Sequence, residues 1–397
     1  MCNRVKLETL SAYIGSGITP RRDNKIFWQN GTIPWLKTEQ LDEHQIYETT
    51  EKISQEALDE TSIKLYPVNT LSIAMYGEGK TRGNVAILKK EMTTNQACCN
   101  IIIDNAKADY EYVYYYLKVQ YQQLRGLSSG VRKNLNSNDI KNFEISLPKD
   151  IATQQRIAAV LSALDAKIYL NKRINTELEV MAKALYGYWF VQFDFPDKNG
   201  KPYKSSGGKM VWNAELKREI PVGWDSITIN QILVKGSATK KIQTSGILPK
   251  GLIPVIDQST DFIAGYTNDI NTIIEANKVP RIIFGDHTRV LKLINFNFAR
   301  GADGTQVMLS NSYRMPQYLF YHTLLKIDLS NYGYARHYKF LKDQRIILPR
   351  EDNAQRFNAS IQQYYELIKQ NIFENHTLSE LREWLLPMFM NGQVKVN

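Results

Sequence analysis

QQRIAAVLSALDAKIYLNKRINTELEVMAKAL (residues 154–185) returns 200 positions later, altered but in register, as AQRFNASIQQYYELIKQNIFENHTLSELREWL (residues 354–385). The surrounding segments, 149–186 and 350–386, contain neither glycine nor proline. Within them Ile157 matches Phe357, Leu161 matches Ile361, Leu164 matches Tyr364 and Ile168 matches Ile368. Farther on, Leu178 matches Leu378, Met181 matches Leu381 and Leu185 matches Leu385. Spacings of three and four place these side chains on one face of a helix. Each stretch is therefore predicted to be a helix of roughly 57 Å, at about 1.5 Å per residue. Neither helix can bury its apolar seam against itself, and the obvious partner is its own copy. Asn171 and Asn175 lie near the seam at mid-helix, either as buried polar groups that fix register or on a solvated face.

Working outward, each helix follows a globular segment. Residues 1–148 open with turn-rich sequence (Gly15-Ser16-Gly17, Thr19-Pro20, Asn30-Gly31). Short β-type runs follow at 70–75, 85–88, 100–103 and 143–147, interrupted by an aromatic helical stretch from Tyr110 to Leu124. Residues 223–349 rhyme with that order. Gly31-Thr32-Ile33-Pro34-Trp35 is answered by Gly251-Leu252-Ile253-Pro254-Val255. Ile73 to Gly77, then Thr81-Arg82, is answered by Ile282 to Gly285, then Thr288-Arg289. Gly130 to Lys133, ahead of Leu147-Pro148, recurs as Gly333 to Lys339, ahead of Leu348-Pro349. A period near 200 residues is a domain duplication and not a solenoid. Between the halves, the aromatic cluster Tyr188 to Phe195 leads into polar sequence through Gly207-Gly208, which reads as a mobile connector. The expected class is α+β, with two similar globular domains and two long paired helices.

A chain of 397 residues suffices for two or three domains with cores of their own. Its 43% hydrophobic and 23% charged content excludes wholesale disorder and a fibrous protein. The formal charge of +10 is spread along the chain and favours an anionic partner, nucleic acid first. No apolar run approaches the roughly 18 residues that span a bilayer, so no membrane partner is expected. Met1 to Lys6 shows no signal-peptide core. Three cysteines, two of them adjacent at Cys98 and Cys99, make neither a disulfide framework nor a spaced metal site, and a reducing cytoplasm fits.

Taken in order, these residues resemble one family: the specificity (S) subunits of type I restriction-modification systems. The resemblance covers nearly the whole chain. It is carried by Leu147-Pro148 before the Gln154-Gln155-Arg156-Ile157 helix start, the exit Met181 to Phe190, and Ile220-Pro221-Val222-Gly223-Trp224. In the second half it is carried by Leu348-Pro349, Ala354-Gln355-Arg356-Phe357 and the ending Leu385 to Val394. Gly17-Ile18-Thr19-Pro20 and Phe27 to Gly31 are similar to loops of the family's target recognition domains. The resemblance implies two target recognition domains, 1–148 and 223–349, and an antiparallel pair of long helices conserved in that family, one at 149–190 and the other, with a C-terminal tail, at 350–397. It implies a linker at 191–222 and an internal pseudo-two-fold repeat. It also implies a non-catalytic subunit that reads a split sequence in double-stranded DNA beside two methyltransferase (M) subunits and ATP-driven restriction (R) subunits. The helix faces away from the seam, Tyr186 to Phe190 and Trp384 to Phe389 either dock the methyltransferases or pack the helix ends onto the heads.

Absent motifs agree with the non-catalytic reading. There is no Asn-Pro-Pro-aromatic tetrapeptide, no glycine-rich turn for S-adenosylmethionine and no phosphate loop. The five histidines show no metal-ligand spacing, so neither cofactor nor metal is expected. Asp286, between two strand-like runs, is a single carboxylate and poor support for a nuclease. Candidate DNA contacts lie in the glycine-bearing loops, where backbone approaches closely and basic side chains meet phosphates or guanine edges. In the first segment they are Thr19, Arg21, Arg22, Lys37, Lys80, Arg82, Arg132, Lys133 and Asn134, with the amide of Gln96 suited to adenine. In the second they are Gln258, His287, Arg289, Gln306, Arg336, His337 and Lys339. Trp35 suits the core or DNA equally. Two rival readings remain: a self-contained DNA-modifying enzyme, and a protein–protein scaffold whose basic charge is incidental.

Overall fold

The computed structural model describes residues 3–42, 44–77, 81–127, 134–234, 240–333 and 336–394. The two seamed stretches form helices, Ile151–Tyr186 and Glu351–Met390, about 54 and 60 Å long at their residue counts. The first passes into a π-helical turn, Gly187–Val191. The chain divides into two compact units, residues 1–169 with 375–397 and residues 170–374. Each unit holds one globular head, part of the first helix and the opposite part of the second.

In the first unit, the strand Leu71–Ala74 is buried at every position and lies between two antiparallel neighbours, Val85–Leu88 and Cys98–Ile103. The strand Ile33–Leu36 centres a smaller sheet, antiparallel to Glu51–Ile53 and parallel to Thr93–Thr94. The helix Tyr110–Val119, capped by the Asp109 carboxylate, buries six consecutive residues from Tyr112 to Leu117. Asn3–Lys6 and Glu144–Leu147 pair antiparallel and bring the two ends of the head together. The chain then enters the long helix directly, and Ile157, Ala158 and Leu161 share the head's core with Phe389 and Met390.

The second unit repeats the central pairings of this scheme, with fewer outer strands in the main sheet and one more, Ile273–Ile274, in the smaller one. Arg281–Gly285 lies between Leu291–Ile294 and Thr305–Met308, both antiparallel. Ile253–Ile256 is antiparallel to Gly265–Thr267 and parallel to Phe298–Arg300. The helix Gln317–Leu324 answers Tyr110–Val119, and Asp225–Thr228 with Arg345–Leu348 answers the closing pair. The fold is α+β with an internal repeat. Side chains that agree at 200-residue offset sit in helices, while the heads keep topology and change sequence.

One expectation changes. The segment read as a mobile connector is folded within the second unit. Phe195 stacks on Trp224 at 5.1 Å and on Tyr203 at 4.7 Å, and Phe193 meets Trp224 edge-on. The Asp194 carboxylate accepts from the Ser205 N–H and hydroxyl at 2.7 Å, and Met210–Asn213 pairs with Arg218–Pro221 as a hairpin. Glycine and polar residues supplied the turns of a compact arm, and the aromatic residues on either side supplied its core.

The seam follows the helical period, with two corrections. Ile157, Leu161, Ile168, Phe357, Ile361 and Ile368 are buried, and Leu164, Leu178, Leu185, Tyr364, Leu378 and Leu385 are half-buried. Met181 and Leu381, predicted to pack in the seam, are 50% and 40% exposed. After Leu178 the seam advances by four residues to buried Ala182, which turns position 181 away by about 100°. After Leu378 it advances by four to Arg382, whose guanidinium pairs with Asp165.

The polar groups on the seam are paired. In the first unit Asp165 accepts from Tyr115 Oη at 2.7 Å and lies 2.9 Å from His44 Nδ1, besides Arg382. In the second unit Asn171 Nδ2 donates to Glu374 at 2.7 Å and Asn371 Nδ2 donates to Asn175 at 2.8 Å. Residue numbers rise on one helix as they fall on the other, so within each unit the helices run antiparallel. Asn171 is fully buried, Asn371 nearly so and Asn175 half-buried, so these amides meet groups of the opposite helix, as buried polar residues that fix register would, and do not lie on a solvated face.

Candidate nucleic-acid interface

The same backbone relay draws three loops together in each head. In the first, Met75 N–H donates to Ala97 O at 2.8 Å, and Leu135 N–H donates to Met75 O at 3.1 Å. In the second, Asp286 N–H donates to Gly304 O at 2.7 Å, and His337 N–H donates to Asp286 O at 3.0 Å. Each relay ties the end of a central strand to the turn that carries the chain from the smaller sheet into the larger one, and to the start of a short helix. Those are the loops that carry most of the candidate contacts.

In the first head a further loop joins them. A Cβ on Gly17 would lie 2.1 Å from Thr94 Oγ1, so only glycine permits this approach to the 94–97 turn. Thr19 and Gln96 are hydrogen-bonded through their side chains. Arg22, exposed, lies 3.7 Å from the Trp28 ring centroid and 4.7 Å from that of Trp35, and pairs with Glu51. Lys37 binds Glu39 at 2.6 Å and Glu51 at 2.9 Å. The Glu39 and Glu51 hydrogen bonds raise the Lys37 pKa, and the Arg22 bond, with Lys37, lowers that of Glu51. These cations are oriented but partly neutralised. Arg21 is exposed. Trp35 is 2% exposed, with its indole N–H on Ile18 O, and belongs to the core. Arg82 and Asn134 are half-buried. Lys80, Arg132 and Lys133 lie outside the described residues.

In the second head Gln258 Oε1 accepts from His287 N–H at 3.2 Å and Nε2 donates to Asp303 O at 2.9 Å. His287 and Arg289 are exposed on the turn, Arg336 and Lys339 are exposed at and within the helix His337–Lys342, and Gln306 is half-buried on its strand. Arg289 also borders a cleft of about 240 Å³ with Asp328 and Ile327. Arg289 and Asp303 adopt φ of 61° and 30°, left-handed values that side-chain-bearing residues rarely take. Backbone strain of this kind concentrates at functional sites.

His337 does not fit as a DNA contact. It is 4% exposed, with Nδ1 3.0 Å from Asp286 O and Nε2 3.1 Å from Gly333 O. The relay makes it the counterpart of Leu135, which is 1% exposed in the first head's core. Asp286 is likewise structural: its carboxylate accepts from Tyr338 N–H at 2.8 Å. Sequence reasoning passed over Lys292, 4% exposed beneath the Asp257–Asp261 loop, where it donates to both carbonyls. Burial lowers its pKa. Nothing in Leu291-Lys292-Leu293-Ile294 marks that lysine as inward-facing, since alternation alone places it outside.

Burial pushes Cys98 and Cys99 up to about 12, so both remain thiols. Among the described residues no cluster of metal-ligating side chains occurs, and no helix is long and apolar enough to cross a membrane.

The family model for the type I restriction modification DNA specificity domain matches residues 6–180. The MjaIX specificity subunit of the type I restriction enzyme from Methanocaldococcus jannaschii is 28% identical over 96% of this chain and 91% of its own length. The EcoR124I/EcoR124II specificity subunit of Escherichia coli is 24% identical over 48% of each chain. The crystal structure of a type I restriction-modification S subunit from M. genitalium shares the fold, with a TM-score of 0.62 at 16% identity, covering 98% of this chain and 96% of that one.

Proposed function

We propose that the chain is a specificity (S) subunit of a type I restriction-modification system and that it reads a DNA target in two separated parts, a reading supported by the family model over residues 6–180 and by the relative that is 28% identical over 96% of the chain. The head at 1–148 takes one half-site and the head at 223–349 the other, with the long helices of segments 149–190 and 350–397, the latter ending in a C-terminal tail, as the spacer between them. The observation that carries this reading is the repeated relay. Two heads of unlike sequence bring corresponding loops together by corresponding hydrogen bonds, as two readers of different half-sites require. Arg21, Arg22, Lys37, His287, Arg289, Arg336 and Lys339 supply phosphate or base-edge contacts, and Thr19 with Gln96, and Gln306, supply polar groove contacts. The two half-sites lie on the order of one DNA turn apart, about 34 Å, as for other paired readers.

The subunit does no chemistry itself and works in the cytoplasm. Two M subunits flip and methylate the adenines, and R subunits cleave; this chain places them. The test is sequencing of methylated adenines across a genome that expresses the chain with its neighbouring methyltransferase, with the chain omitted as control. A split motif methylated on both strands only in its presence is the expected result. Methylation indifferent to the chain overturns the reading in favour of a scaffold. Methyl transfer by the purified chain alone overturns it in favour of a self-contained enzyme.

A further inference from the structure

The loop cluster of the second head turns on one side chain. Besides its side-chain bonds to His287 N–H and Asp303 O, Gln258 accepts the Thr288 hydroxyl at its main-chain carbonyl, at 2.8 Å. Two glycines leave the room it fills. A Cβ at Gly304 would lie 2.6 Å from Gln258 Nε2, and one at Gly285 3.0 Å from Gln258 Cβ. Below, Lys292 fixes the height of the loop through the Asp257 and Asp261 carbonyls. Gln258 thus applies its amide donor and its amide acceptor to the backbones of two different turns, which carry His287 and Arg289 on one side and Asp303 and Gly304 on the other.

We propose that Gln258 is not a DNA contact but a positioning residue, which sets the sequence specificity of the second head by locking these two turns into one surface. The proposal rests on the reading of that head as a DNA reader. Specificity is a difference in affinity between right and wrong bases, and turns free to shift independently adapt to the wrong base and shrink that difference. By the alignment of Ile33-Pro34 with Ile253-Pro254, the corresponding position in the first head is Thr38, which has no amide. The effect is therefore confined to one half-site.

The test uses the complex of the full chain with its methyltransferase, on duplexes that match the mapped target or carry one changed base in either half. Gln258→Ala is expected to lower discrimination at least tenfold in one half and leave the other half, and the rate on matched duplex, within twofold. Gln258→Glu keeps the acceptor for His287 but sets a carboxylate against Asp303 O, and is expected to fail like alanine. Thr288→Val, nearly isosteric, removes only the hydroxyl bonded to the Gln258 main chain and should relax the same half a few-fold. Gln258→Met fills similar space without the amide and decides the side chain's part if alanine does not fold, with tenfold lower discrimination in one half as the expected result. Discrimination unchanged in both halves, or relaxed equally in both, overturns the proposal. A wild-type complex that methylates no split target overturns the parent reading as well, and that outcome is recognised before any variant is made.

Discussion

Replacing Asp165 with asparagine tests how the long helices hold their register. The carboxylate is 6% exposed and is contacted by Tyr115 and His44 from the head and by Arg382 from the second helix. Burial by itself would raise its pKa, but the His44 hydrogen bond, with Arg382 and Tyr115, holds it down from 3.8 to about 2. A depressed carboxylate contributes stability that is complete above its unfolded value and is lost as pH falls through the folded one. A depression of this size corresponds to roughly 2.5 kcal/mol at pH 7. Asparagine still accepts from Tyr115 but strands the half-buried guanidinium of Arg382, so the expected total loss is about 3 kcal/mol. The gap between wild type and variant should shrink by about 1 kcal/mol at pH 3 and about 2 kcal/mol at pH 2. Urea unfolding across that pH range measures the gap. Hydrogen exchange at pH 7 locates it, with faster opening of the Ile157 to Ile168 amides and little change in the second unit. A gap that is the same at pH 3 and pH 7, or below about 1 kcal/mol at pH 7, refutes the reasoning.

Other outcomes follow from the same geometry. Arg289→Gly relieves a left-handed backbone, so it should leave stability unchanged or raise it by up to about 1 kcal/mol in thermal unfolding, while DNA affinity of the complex falls several-fold. Lys339→Ala should weaken binding about equally on all sequences and reduce the slope of log affinity against log salt by about 1, read by titrations at several salt concentrations. Inserting four residues in both long helices, after Ala166 and after Glu380, lengthens each by about 6 Å and should lengthen the preferred DNA spacer by about two base pairs while both half-sites stay readable. An unchanged spacer would sink the role of the helices as a ruler.

The helices were legible because their signal is periodic and long. Thirty-odd residues without glycine or proline admit one regular structure, and the seam follows from spacing alone. The exceptions show where the period stops deciding. Residues 181 and 381 occupy positions that steps of three from Leu178 and Leu378 would bury, whereas steps of four fall on Ala182 and Arg382. Which step is taken depends on what the neighbouring element offers: a packed core at one place, the Asp165 carboxylate at the other. The strands were legible as short apolar runs, but not their order in the sheets, because pairing between distant segments leaves no local mark.

The candidate site shows the same limit more sharply. The sequence puts His337 in a basic, glycine-bearing loop beside Arg336 and Lys339, and composition gives all three the same reading. Only the relay distinguishes them, because its register assigns position 337 to the place that Leu135 fills in the other head, and an imidazole there must face inward and bind carbonyls. Gln258 is subject to the same argument. An amide near a glycine turn suits adenine by its chemistry, yet both ends of this one meet backbone. Chemistry of residue type therefore selects the loops proposed to face DNA, whereas the choice between a contact and a group that holds a contact loop lies in the hydrogen-bond partners. That division predicts opposite signatures under mutation. Replacing a proposed contact such as Arg336 should lower affinity on every sequence or at one base, while replacing the proposed positioning group Gln258 should leave matched affinity nearly intact and admit wrong bases. A Gln258→Ala complex that loses matched affinity as steeply as Arg336→Ala would place the amide among the contacts after all.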